Sequence, residues 1–123
     1  LSAAQLLEKV TNMGGFVYAA HCTQDKGLLK RKLNHIWQHP LLKAAQIPGS
    51  VKDLPPEYKQ ITENTNLDYK REYPIALINA RDVAKPEDLR VSGATTYVKM
   101  TRPCFQSFIL AFKDPESRVR RHD

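Results

Sequence analysis

The chain has 123 residues, of which 41% are hydrophobic and 26% charged, and it carries a formal net charge of +6. That length suits one hydrophobic core, and that balance excludes a fully disordered or collagen-like chain. No apolar run approaches the roughly 18 residues of a membrane helix, and no cationic start leads into a secretory signal.

The chain starts at Leu1 rather than Met. A single compact domain over residues 1–123, working within a larger protein, is the expected organisation. Ser2 and Gln5 have the spacing of a capping box. Ala3, Leu6, Leu7, Val10 and Met13 then recur at helical spacing until Gly14-Gly15, which predicts an amphipathic helix over 2–13. Phe16 to Cys22 is short, apolar and aromatic, and reads as a buried strand.

Leu29, Leu33, Ile36 and Trp37 define the apolar face of a second predicted helix, 28–38, which Pro40 brings to a stop. Leu41 to Gln46 suggests another short helix, and Pro55-Pro56 primes a third over 56–64 with Tyr58 and Ile61 inward. Asn66 to Glu72 is polar and reads as a loop, and Pro74 to Ala80 as a strand. Pro86 to Leu89 suits one helical turn. Thr95 to Thr101 and Phe105 to Phe112 predict a hairpin turning at Arg102-Pro103, the second strand being central and buried on both faces. Residues 113–123 are expected to be a frayed tail. Helices then strands give an α+β class: N-terminal helices packed on a C-terminal, mainly antiparallel sheet with a hairpin at 95–112.

A net positive charge favours polyanionic partners. Up to Thr62 there are eight bases and four acids, a balance of +4. From Glu63 onward there are eleven bases and nine acids, a balance of +2. The excess lies towards the first half, where Lys26, Lys30, Arg31, Lys32 and His35 cluster. On the predicted second helix Arg31, Lys32 and His35 share one flank and Lys30 with Asn34 another, with Lys26 just before the helix. This face is expected to contact phosphates, with Asn34 or Gln38 within reach of base edges. The competing reading is a solvated helix exterior that only aids solubility. Tyr97 with Lys99, and the tail residues Arg118, Arg120 and Arg121, are further basic elements. A tyrosine between cations suits base stacking, but here a cross-strand core position is the favoured reading.

Cys22, His35 and His39 have the spacing of half a zinc finger. The other half is missing, because Val17, Tyr18 and Ala19 stand where its first cysteine belongs, so two solvated histidines are preferred and no metal is assigned. With no secretory signal, Cys22 and Cys104 are expected to be buried, reduced thiols, which implies an intracellular setting, nucleus or cytoplasm. Gly14-Gly15 is too short for a phosphate loop, Ser92-Gly93 makes no nucleophile elbow, and Asp82, Glu87 and Asp88 are the kind of acids that cap turns. No catalytic residue and no cofactor are assigned, and an enzyme is the less favoured class. The expected function is a non-catalytic nucleic-acid-binding module. The alternative is a protein–protein interaction domain whose basic face docks an acidic protein surface.

Overall fold

The computed structural model describes residues 1–80, 84–90 and 95–121. Asp82, the Ser92-Gly93 pair and the last two residues of the tail lie outside the described residues. The centre is a three-stranded parallel sheet in the order β1-β2-β3, built from Tyr18–Ala19 (β1), Ala44–Ile47 (β2) and Ala76–Asn79 (β3). Tyr18 stands opposite Ala44, Ala45 opposite Leu77, and Ile47 opposite Asn79. Parallel neighbours need long crossovers. The first carries the short helix Asn34–Trp37, and the second carries Pro56–Thr62. Counting the N-terminal Ala3–Asn12 as α1, these are α2 and α3. A second, two-stranded antiparallel sheet pairs Thr96–Val98 (β4) with Val119–Arg121 (β5). The helices Phe105–Ala111 (α4) and Pro115–Arg118 (α5) lie between its strands in sequence. The chain is therefore of mixed α and β class. No helix among the described residues is long and apolar enough to cross a membrane.

Two apolar clusters cover the two faces of the parallel sheet. Ala45 and Ile47 join Leu7, Trp37, Leu42 and Ile61 in one. Ala44 and Ala76 join Ala111 and Phe112 in the other, with Phe16, Ile78 and Phe108 packed against them. The second cluster is aromatic: the ring of Phe16 lies 5.1 Å from Phe108 and 4.8 Å from Phe112. Alternate residues of β2 thus serve different layers, as a strand covered on both faces must.

Several expectations hold. The Ser2–Gln5 capping box forms, with Gln5 N donating to Ser2 Oγ at 3.1 Å and Ser2 N to Gln5 Oε1 at 2.8 Å. Pro56 opens α3, and Ile61 points inward while Tyr58 packs against the core. Pro86–Arg90 is a 3₁₀ turn.

Others are corrected. On α1 only Leu7 is buried, while Leu6 and Met13 are exposed. The strand expected over 16–22 pairs only at Tyr18–Ala19. The helix over 28–38 shrinks to α2, because Lys32 has a left-handed φ of 56° that no α-helix accommodates. Residues 44–47 are strand, not helix: their pairing on both sides overrides the helix preference of two alanines. Phe105 to Phe112 is the helix α4 and not a strand, so there is no hairpin at 95–112 and the principal sheet is parallel. An eight-residue apolar run fits either state by periodicity. Packing against Phe16 decides: in the helix Ser107 and Phe108 face inward with Ala111 and Phe112 one turn on, while Gln106 and Leu110 face solvent. The tail expected to fray is α5 and β5 up to Arg121.

The polar stretch 62–72 is a tied strap. Asn64 is buried at a φ of 66°. Its Nδ2 donates to Arg71 O, and Arg71 N donates back to its Oδ1, both at 2.8 Å. Arg71 then reaches under the α2–β2 connection. Its Nη1 donates to the carbonyls of Trp37 and, at 3.2 Å, His39, and its Nη2 donates to that of Leu42 at 2.8 Å. Burial lowers the guanidinium below its ordinary value, and carbonyl dipoles replace the water it has lost. Arg71→Gln leaves those carbonyls without their donor, so a stability loss of about 2–4 kcal/mol is expected as a lowered urea midpoint with unchanged slope.

Candidate nucleic-acid interface

All parallel strands end at the same edge of their sheet. The loop leaving β1 there and the start of α2 carry the five candidate residues. Lys26, Lys30, Arg31, Lys32 and His35 are all exposed. They lie on consecutive turns rather than along one helix, and only His35 belongs to α2. The turns are held by Gly27 N donating to Gln24 O at 2.8 Å, Arg31 N to Gly27 O at 3.0 Å and Leu33 N to Leu28 O at 3.0 Å. Leu29, 2% exposed, anchors the loop in the core. Lys26 and Lys32 occupy left-handed φ values of 67° and 56°, which cost about 1–2 kcal/mol per residue for a side chain with a Cβ.

Two residues fix the loop to the sheet. Cys22 is fully buried, and both its backbone N–H and its thiol donate to Gln46 O, at 3.3 and 3.1 Å. Gly27 passes so close that a Cβ would lie 2.1 Å from His21 O. Gln46 in turn ties the three strand ends together: its Oε1 accepts from His21 N at 3.4 Å and its Nε2 donates to Ala80 O at 3.0 Å. Asn79, buried at the end of β3, donates from Nδ2 to Gly49 O at 2.6 Å. Thr96 Oγ1 accepts from Asn79 N at 2.7 Å and donates to Asn79 O at 2.8 Å, which joins the two sheets.

Gln46 and Asn79 are absent from the residues singled out in the sequence. Their signal was there: each is an amide interrupting an otherwise apolar run, Ala44-Ala-Gln-Ile47 and Ala76-Leu-Ile-Asn79. The basic cluster around Lys30 was visible as composition, but the loop that presents it was not.

The zinc-like spacing does not assemble. His39 lies beyond the end of α2, its Nδ1 accepts from Leu41 N at 3.1 Å, and the Cys22 thiol faces the sheet. Among the described residues no three His, Cys, Asp or Glu side chains come together as a metal site. Both cysteines are free, but Cys104 is exposed rather than buried. The Ser107 hydroxyl, 3.4 Å from its sulfur, favours the thiolate and holds Cys104 below the ordinary thiol value, whereas burial pushes Cys22 up to about 12. The chain matches no protein-family model, no curated protein and no solved structure.

Two outcomes test this arrangement. Gly27→Ala drives a Cβ into backbone, and a loss of about 2 kcal/mol or more is expected in urea unfolding. For Cys22, the unfolded thiol titrates at its ordinary 9.0 while the folded one holds its proton to about 12. The unfolded state therefore releases the proton first, so stability present below pH 9 falls as pH rises through this window. The slope is at most about 1.4 kcal/mol per pH unit. Urea midpoints measured across that range should show this loss in the native chain and a flatter profile in Cys22→Ala.

Proposed function

We propose that the chain is a non-catalytic nucleic-acid-binding module that contacts phosphates through Lys26, Lys30, Arg31, Lys32 and His35. One observation carries this reading. Lys26, Lys30, Arg31 and Lys32 are exposed on a loop tied to the sheet by Gly27, Leu29 and Cys22, His35 is exposed at the start of α2 that follows it, and no ion pair occupies any of the five among the described residues. From residue 20 to 40 the loop has four Lys or Arg and one acid, Asp25. A fixed cationic loop gains affinity by releasing counterions from a phosphate backbone without ordering a disordered arm first. The module acts inside the cell, in the nucleus or cytoplasm. Two free cysteines suit that reducing setting.

Fluorescence anisotropy with labelled DNA and RNA, titrated with salt, tests this. The triple variant Lys30→Glu, Arg31→Glu, Lys32→Glu should bind at least tenfold more weakly, with a log–log salt slope shallower by about 2–3 units. Unchanged binding by that variant overturns the loop's role. Equal competition by poly-glutamate would assign the loop to an acidic protein surface instead.

A further inference from the structure

The antiparallel ribbon β4–β5 joins basic elements that lie far apart in sequence. Tyr97 stands directly opposite Arg120, and Val98 opposite Val119. Alternation sorts the two faces. Val98 and Val119 pack against the aromatic cluster beneath the sheet. Tyr97, Lys99, Arg118 and Arg120 are left on the outer face, where Tyr97 is 52% exposed, Lys99 and Arg120 are exposed and Arg118 is half-buried. The favoured sequence reading of Tyr97 as a core residue is thus reversed. The ladder continues one step beyond the strands, with Lys99 N donating to Arg118 O at 2.7 Å, so both cation-bearing positions belong to one backbone frame. No ion pair occupies Lys99, Arg118 or Arg120 among the described residues. The described acids at this end are Glu116, exposed on α5, and Asp114, which lines a cavity of about 320 Å³ with Arg118 and accepts from Ser117 Oγ at 2.6 Å.

We infer that this ribbon face is a platform for single-stranded nucleic acid, on which Tyr97 stacks a base while Lys99, Arg118 and Arg120 contact the flanking phosphates. The inference rests on the nucleic-acid reading above and adds the strandedness of the ligand. Three cations alone would suit any polyanion. The exposed ring among them decides, because stacking needs an unpaired base with an open face, which a duplex does not offer. Alternate residues on a strand are about 7 Å apart, so the aromatic and its neighbouring cation address base and phosphate at separate points. An acidic peptide or an anionic lipid surface could also cover Tyr97, and the comparison of single strand with duplex addresses stacking directly.

The test uses the full chain with labelled single-stranded oligothymidylate, oligouridylate and a DNA duplex of the same length. Each variant is first checked for native circular dichroism and an unchanged Tm. Tyr97→Leu should weaken single-strand binding by roughly 5- to 150-fold while leaving duplex binding within about twofold, and Tyr97→Phe should restore the single-strand affinity. Lys99→Gln and Arg120→Gln should each flatten the single-strand salt slope by about 0.7 unit. If the native chain binds and these variants bind single strands as it does, the ribbon is not the platform, and the loop reading survives. If the native chain prefers the duplex, the strandedness is wrong. If it binds none of the three even at low salt, the nucleic-acid reading falls and this inference with it.

Discussion

The whole arrangement depends on β2 being covered on every side. Its four residues are all buried, Tyr18–Ala19 pairs along one edge, and Ala76–Asn79 pairs along the other. A strand so placed has no solvent to satisfy its backbone, so each N–H and C=O must find a protein partner. Parallel pairing meets that need, and it forces both connections to cross over the sheet. The crossovers then supply the covering layer that buries Ala45 and Ile47. Cluster formation around Trp37 on one face and around Phe112 on the other follows from this single demand.

Local chemistry was legible where it was self-contained. The Ser2–Gln5 box needs only residues three apart, and a proline pair opening α3 needs only its own φ. Elements defined by distant partners were not legible. Ala44–Ile47 is strand because of Ala19 and Leu77, neither of which is near it in the chain. The segment 26–33 has helical spacing of its leucines, yet Gly27 closes against His21 and Cys22, and that contact bends the leucines inward from turns. For α4 the apolar residues sit on too many positions for period to discriminate, and only packing against Phe16 fixes the choice.

The same division runs through the candidate surfaces. Lys26 to Lys32 could be named from charge alone, since they are contiguous. Tyr97 and Arg120 could not be associated, because the register that sets them opposite each other closes around two intervening helices. The amides Gln46 and Asn79 show a third case. Polar groups in apolar strands cost free energy unless bonded, so their presence announces a tie at that edge, though not which carbonyls it would engage. The tie found through Thr96 joins the end of β3 directly to the β4–β5 ribbon.

The brevity of β1 has a colloidal consequence. A long, flat border strand is an invitation to a second molecule, which can add its own strand and start a fibre. Here the border has two paired residues, and after Ala20 come the left-handed His21 and the turns of a loop whose Lys26, Lys30, Arg31 and Lys32 are exposed. An incoming strand would find little ladder to extend and a field of like charge to cross. At this border the parallel sheet therefore offers another molecule only a short ladder to extend.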